Sequence, residues 1–393
     1  MKRRWKKLIY GSIGIVPVLA LVCFSIPFNQ QISISCVGSS GVKPFVESLS
    51  KDFDAKNQGY DVTVDAGGSG FGISQVAKGF TKIGNASKDP FHDVKDEFTS
   101  EWKERKIKTV TIGWEGICLL FIPPQGLSQD GLNKLNSSLS VNQQTMINLY
   151  RVFSGYKDGL TNNSFLNLGG FISSSSTLSI SDQKLYQNTK IIPYARSGGN
   201  LTSGTASSFY AGSHFKNNDQ PIINQLTPRQ QKAFTHGVYG DEISVKDTDE
   251  ANSRAWDRFI NDKEPGSVVY LSSGFVNQNI KLIEKSHVGL FQYNTTSFDV
   301  SKIKEQNGYN FYRPLNVMLS IEDKDAVKFV NYLINEVSVD TWKSYGGKHI
   351  SDQDKQSMSL NNDVQNFWTS DDSSLIVDWS NPDHNYLGAK DNG

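Results

Sequence analysis

The sequence repeats the order of a short strand, a glycine- and serine-rich turn, and a helix. Residues 31–57 contain an alternating strand, the turn GSSG and a segment with apolar residues at helical spacing. Residues 61–80 repeat this order with the strand DVTVDA, the turn GGSGFG and the helix ISQVAKGF. Such alternation is typical of α/β proteins, in which helices cover a sheet.

The rest of the chain continues this pattern after a third turn at 82–91. We predict a strand at 108–123, a polar region from 125 to 187, a strand and loop at 266–275, and a strand leading into an amphipathic helix at 314–337. The 393 residues exceed the size at which one core usually keeps growing. Two lobes are therefore expected.

Charge and composition exclude several classes of function. Lysine and arginine number 40, as do aspartate and glutamate, so no overall basic field is available for nucleic acid. The six histidines lack metal-ligand spacing, and no cofactor or metal is predicted. Three cysteines do not form a disulfide framework. Cys118 is expected to be a small buried hydrophobe, and a bridge from Cys36 to Cys118 remains an alternative.

The N-terminus predicts an attachment to a membrane. Basic residues in MKRRWKK precede the uncharged run Leu8–Phe28, which is long enough to cross a bilayer as a helix. Because the basic residues should stay cytoplasmic, the body should lie outside the cell. We interpret residues 1–29 as an uncleaved anchor; a cleaved signal peptide and a lipid on Cys23 remain alternatives.

The turns carry the candidate chemistry. The first amides of a helix have no partners within the helix and favour anions. Hydroxyls at Ser39, Ser40, Ser69 and Ser87 would add neutral donors, and Arg196 would add a planar cation suited to an oxyanion. Each serine taken alone is more often a helix cap. Several such turns in one α/β chain favour a shared oxyanion site, because helix starts beside strand ends tend to converge on one crevice.

A family resemblance rests on several motifs that occur in a consistent order. They are VGSSGVKPF, GGSGFGISQVAKG, IGNASKDPF, an arginine followed by SGT, GSVVYLSSGF and YRPLNVML. With them, the chain from about Ile32 to Leu333 resembles the phosphate-binding subunits of Pst-type phosphate ABC transporters. The resemblance implies an α/β, two-lobed fold of the periplasmic-binding-protein type II with a hinge. It also implies a non-enzymatic, monomeric receptor outside the membrane that delivers inorganic phosphate to permease subunits.

The same resemblance divides the chain into lobes. Lobe one is expected at 30–114 and 313–370, and lobe two at 115–312. Residues 371–393 are expected to form a loose tail.

Carried over residue by residue, the resemblance implies a set of phosphate contacts. They are Ser40, the amide of Gly41, Ser69, Ser87, Arg196, Ser203, Gly204 and Thr205, with Ser39 adjacent.

The chain departs from the family pattern after Ser87, where the better-known branch has an aspartate. Here Lys88 follows, as a possible second cation, and Asp89 comes one place later. A carboxylate matters because phosphate carries a proton for it to accept, whereas sulfate carries none and would be repelled. Asp89 is the first candidate for this role, and Asp65 is the second.

Two other functions remain open. Ser40 and Lys43 fit the S-x-x-K motif of penicillin-binding acyl enzymes, with an S-x-N at 140–142 and a loose K-T-G at 196–198. The chain is also compatible with a receptor for another oxyanion such as sulfate or molybdate.

Overall fold

The structure is a computed structural model, and it describes residues 31–88, 90, 93–196, 216–217, 220–221, 225–249 and 251–351. The predicted anchor at 1–29, Asp89, the segment 203–205 and the predicted tail at 371–393 lie outside the described residues.

Strands alternate with helices along the chain, as predicted. In chain order they are β1 (Ile32–Gly38), β2 (Tyr60–Ala66), β3 (Ile83–Ala86), β4 (Ile107–Phe121), β5 (Ser140–Val141), β6 (Ile192–Arg196), β7 (Lys216–Asn217), β8 (Gln220–Pro221), β9 (Lys246–Thr248), β10 (Ser267–Ser272), β11 (Gly289–Leu290), β12 (Gln292–Tyr293), β13 (Tyr312–Ser320) and β14 (Gly347–His349).

The helices in chain order are α1 (Lys43–Lys56), α2 (Ser69–Lys78), α3 (Thr99–Glu104), α4 (Gln129–Asn133), α5 (Leu135–Ser138), α6 (Gln143–Ser154), α7 (Ile180–Asn188), α8 (Pro228–His236), α9 (Asn252–Asp262), α10 (Ser273–Gln278), α11 (Ile280–Lys285), α12 (Lys324–Asn335) and α13 (Val339–Ser344). Short 3-10 turns lie at Asn163–Leu166, Leu168–Phe171 and Val300–Lys302, and Val94–Phe98 forms a π-helical turn.

The main sheet is organised around β4. Its strand order is β2-β1-β3-β13-β4-β10-β6-β9, and β11 and β14 also pair with β4. Strand β1 runs parallel to β2 and β3, whereas β13 is antiparallel to β3 and β4. The first part of β4 pairs with β13 and its last residues pair with β10. One long strand therefore joins the two halves of the sheet.

Each half of the sheet has its own apolar core. In the first half, Phe45 and Leu49 of α1 and Phe329 of α12 pack with the strands. In the second half, Leu149 and Phe153 of α6 belong to a separate cluster with Phe121 and Tyr270. Separate clusters in the two halves fit the two expected lobes, and the lobes and their residue boundaries stay a prediction.

Most of the predicted elements are confirmed, with four differences. The segment 82–91, predicted as a turn, contains the strand β3. Helix α2 begins at Ser69, four residues before the predicted start, so part of the predicted turn is helical. The polar region at 125–187 contains helices, among them α6 with its buried apolar face. The loop predicted after β10 is the helix α10.

The described residues include two of the three cysteines and none of the predicted anchor. Cys36 and Cys118 are both buried and free, so the alternative of a bridge between them is wrong, and Cys118 is the small buried hydrophobe that was expected. No helix in the described part of the chain has the length and hydropathy needed to span a membrane. The run Leu8–Phe28 lies outside that part.

Candidate functional site

The candidate site begins in the turn that follows β1. Gly38 has a φ of +147°, and a Cβ at this position would overlap the main-chain oxygen of Asn85. The next residue, Ser39, donates its amide to that same oxygen at 3.1 Å. Glycine is therefore needed for the chain to leave β1 in close contact with β3.

Serines from three separate turns meet at this point. The hydroxyls of Ser39 and Ser87 lie 2.7 Å apart, and the amide of Ser87 donates to Ser69 Oγ at 3.2 Å. All three residues are buried. The serines follow β1, β2 and β3, which are parallel neighbours, so their carboxyl ends meet at one edge of the sheet.

Ser39 and Ser69 do not cap the helices that follow them, as the alternative interpretation requires. The N-cap residues of α1 and α2 are Val42 and Gly68, and neither helix start has a side-chain cap. The amide of Gly41, which the resemblance assigns to phosphate, donates here to Ser39 Oγ at 3.1 Å. The hydroxyls thus bond to one another and to turn amides at the sheet edge.

Arg196 reaches this cluster from the other half of the sheet. It is the last residue of β6, and its side chain is completely buried. Its Nη2 donates to Ser40 Oγ at 3.3 Å, and its Nη1 donates to the main-chain oxygen of Tyr270 at 3.4 Å. The guanidinium also lies 5.4 Å from the centre of the Tyr270 ring. A fixed cation and the serine turns therefore form one site.

Asn252, the first residue of α9, is a second contact between the halves. Its Nδ2 donates to Ser272 Oγ at 2.9 Å and to the main-chain oxygen of Ser40 at 3.4 Å. Its Oδ1 accepts from the amide of Ser272 at 3.0 Å. The sequence pattern did not single out Asn252, because a lone asparagine at a helix start resembles a cap.

Sequence reasoning also missed a buried ion pair beneath the turn. Glu115 of β4 and Arg313 of β13 are paired residues in the antiparallel ladder, and Arg313 Nε donates to Glu115 Oε1 at 2.7 Å. A Cβ on Gly41 would overlap Glu115 Oε1 and lie 2.9 Å from Arg313 Nη2. The sequence did contain one signal of this pair, which is the charged Glu115 inside an apolar strand. A buried charge needs a partner, so a partner for Glu115 could have been expected.

The electrostatics of the site favour an anion. Burial raises the pKa of Glu115 above its ordinary value, and the neighbouring Arg313 and Arg196 act in the opposite direction. The contact with Arg313 favours the ionised carboxylate. Two guanidinium groups against one carboxylate leave a net positive charge beside the serine turns.

Lys88 and Asp65, which the sequence analysis offered as a second cation and as a candidate acid, lie in different environments. Lys88 is buried and its Nζ lies 2.9 Å from Asp93 Oδ2, so Asp93 neutralises it and it is not an uncompensated second cation. Asp65 is exposed and lines an open cleft of about 620 Å³ that also borders Ser40.

The residues of the acyl-enzyme alternative do not come together at one cavity. Ser40 and Lys43 line the open cleft, whereas Ser140 and Asn142 line a different cavity. Asn142 accepts from the amide of Thr145 at 2.8 Å as the cap of α6.

Comparisons with known proteins agree with this architecture. A family model described as a PBP superfamily domain matches residues 29–164. An uncharacterized lipoprotein of Mycoplasma genitalium is 28% identical over 363 residues, covering 86% of this chain and 89% of that protein. The phosphate-binding protein PstS of Bacillus subtilis is 41% identical over 64 residues, 16% of this chain and 21% of that one.

A solved structure supports the same fold. It belongs to a Clostridium perfringens protein described as a phosphate ABC transporter substrate-binding protein and contains bound phosphate. The likeness has a TM-score of 0.50 and 18% identity, and it covers 81% of this chain and all of that one. The chain therefore has the α/β fold of the periplasmic-binding proteins.

Proposed function

We propose that this protein is a solute receptor that binds inorganic phosphate between the serine turns and Arg196 and delivers it to an ABC transporter. The observation that carries the proposal is the contact between the buried Arg196 guanidinium and Ser40, at the point where the turns after β1, β2 and β3 meet. Phosphate would take the place of some hydrogen bonds that the hydroxyls now make with one another.

The chemistry of these groups suits a tetrahedral oxyanion. A guanidinium offers several donors in a fixed plane and binds such anions through charge-assisted hydrogen bonds. Hydroxyls and main-chain amides add donors without adding charge, which lets a buried site hold an anion with little excess positive charge. Burial strengthens each of these interactions because water is excluded. Ser203, Gly204 and Thr205 remain proposed contacts from outside the described residues.

Two of the similar proteins support this proposal. The Bacillus subtilis relative is named for phosphate binding, and its similarity is local and high. The Clostridium perfringens protein holds phosphate and is described as part of an ABC transporter. Permease subunits are thus the proposed partners of this chain, and its body is proposed to be monomeric.

We further propose that the body is held outside the cell membrane. The Mycoplasma genitalium relative is a lipoprotein, and the run Leu8–Phe28 is long enough to span a bilayer. Both routes of attachment leave the body outside, and protease added to intact cells should then remove it from the membrane fraction. Release of a soluble protein that begins near Asn29 would contradict both.

The proposed ligand is tested by calorimetric titration of the purified full-length protein with phosphate, sulfate, molybdate and phosphonates. We expect phosphate to bind with the lowest Kd. Equal or tighter binding of sulfate or molybdate would assign the receptor to another oxyanion. Labelling of Ser40 by a fluorescent penicillin would instead support the acyl-enzyme alternative.

A further inference from the structure

A second cavity lies beside β5 and the start of α6, and it shares no lining residue with the cleft that borders Ser40. Its volume is about 420 Å³, which is within the range of about 300 to 1,000 Å³ that small-molecule sites occupy. Serine, threonine and asparagine side chains form most of its lining, together with Gly170, Phe171 and Ile172. None of its described lining residues carries a charge.

The walls of this cavity are held together by β5. Ser140 of β5 is paired with Gln292 of β12, and Leu139 forms a bridge to Ile172. Ser173 Oγ donates to Gln292 Oε1 at 3.2 Å and so joins the segment after Ile172 to β12. Pairing between distant segments therefore forms the cavity as part of the fold.

Two side chains at the rim of the cavity are not used by the fold. Asn294 and Asn307 accept hydrogen bonds from Thr295 and Thr296 through their main-chain oxygens. Both asparagines are exposed, and their side-chain amides make no hydrogen bond to another described residue. Each such amide can donate two hydrogen bonds and accept two. The rim therefore has spare donors and acceptors.

The backbone at this rim is unusual. The described part of the chain has seven non-glycine residues with positive φ, and three of them line this cavity. They are Asn294 at +46°, Thr295 at +65° and Asn307 at +57°. Asparagine tolerates this conformation, but a β-branched residue such as threonine rarely adopts it. Strain of this kind persists where the surrounding structure enforces it, and it is concentrated at ligand sites.

We propose that this cavity binds a neutral polyhydroxylated ligand, namely a saccharide ring. Hydroxyl and amide side chains donate and accept hydrogen bonds at once, as the hydroxyls of a sugar do. An ionic ligand would find no opposite charge in the described lining, and an unpaired charge is costly to bury. Phe171 and Ile172 add apolar surface for the C–H groups of the ring. The site is separate from the proposed phosphate site and does not depend on that function.

Saturation-transfer difference NMR of the full-length protein, in the presence of excess phosphate, tests the class of ligand. The probes are glucose, galactose, mannose and N-acetylglucosamine, and glucuronate and glucosamine are charged analogues of glucose. We expect at least one neutral sugar to bind with a Kd on the order of 1 mM or lower, as ligands of this size do. Binding of no neutral sugar, or tighter binding of the charged analogues, would overturn the inference.

The double variant Asn294→Gly/Asn307→Gly locates the binding site. Glycine accepts a positive φ without strain and removes both side-chain amides, so the fold should be kept. The Kd for the bound sugar should rise roughly 5- to 100-fold, the effect of two lost hydrogen bonds. Should the double variant fail to fold, each single variant gives the same comparison.

His287→Gly is the matched control. His287 is also exposed and has a φ of +54°, but it does not line the cavity. Its replacement should leave the Kd for the sugar constant. Equal Kd values in the parent, the control and the double variant would refute the assignment of the sugar to this cavity.

Methyl glycosides of the sugar that binds identify its source. A site for free sugars should lose affinity for both anomers of the methyl glycoside. A site for the terminal sugar of a glycan should keep its affinity for one anomer. Either result supports a saccharide site, and the two results differ in whether the ligand is a free sugar or part of a glycan.

Discussion

Replacing Arg196 with methionine should weaken phosphate binding strongly while leaving the fold largely intact. Methionine keeps an unbranched stem that can pack on the Tyr270 ring, and it removes the charge and every donor. The guanidinium is completely buried and contacts Ser40 Oγ at 3.3 Å, so water cannot replace it in the variant.

The expected magnitude follows from this burial. Truncating one partner of a buried, hydrogen-bonded charge pair costs about 2 to 5 kcal/mol of binding free energy. This corresponds to a Kd for phosphate that is roughly 30-fold to several thousand-fold higher. The loss of the contact with the Tyr270 ring, at 5.4 Å, should cost at most about 2 kcal/mol of folding free energy, and removal of a buried charge partly offsets it.

Equilibrium dialysis with radiolabelled phosphate measures the Kd, and urea unfolding of the same sample measures stability. The matched control is Arg258→Met, because Arg258 is 61% exposed and pairs with Asp262 on the surface of α9. An exposed pair contributes about 0 to 1 kcal/mol to stability, and its loss should not change phosphate binding. If Arg196→Met binds phosphate as tightly as the parent and the control, the assignment of Arg196 as the binding cation is refuted.

Three further predictions concern stability. Gly38→Ala should lower the free energy of unfolding by about 2 kcal/mol or more, since its Cβ would overlap Asn85 at a positive φ; an unchanged urea midpoint would contradict this. Hydrogen bonds from Ser128 lower the pKa of Asp182 below 3.8, so their stabilisation should be present above that value and be lost as the pH falls through the lowered pKa. Acid unfolding of Asp182→Asn should therefore lack this component, and identical profiles would show that the carboxylate is not responsible. Leu149→Ala should cost about 2 to 5 kcal/mol in urea unfolding, because Leu149 is fully buried in the second core; a smaller loss would mean that the cavity collapses.

The parts of the fold that the sequence predicts are those that local patterns determine. Alternation and helical spacing identify α1 and β2 to within one residue and β1 to within three. The start of α2 is misplaced because GGSGFG looks like a turn. Gly72 lies inside the helix, and a Cβ there would come within 2.7 Å of the main-chain oxygen of Val37. Gly72 allows α2 to pack closely on the sheet. A local sequence pattern cannot distinguish a glycine with this role from a glycine in a turn.

Local patterns also could not identify Glu115, Arg313 and Asn252 in the candidate site. The serine turns can be predicted because each is a local motif beside a strand end. Glu115 and Arg313 are 198 positions apart, and only the register of β4 against β13 brings them together. Asn252 likewise depends on its contact with Ser40 across the two halves of the sheet. These contacts depend on residues that are far apart in the sequence, and no short motif predicts such contacts.

A crystal structure of the protein grown with phosphate tests the proposed binding site. We expect tetrahedral electron density within hydrogen-bond distance of the Arg196 guanidinium and of Ser40 Oγ. Phosphate bound elsewhere, or no anion between Arg196 and the serine turns at saturating phosphate, would contradict it.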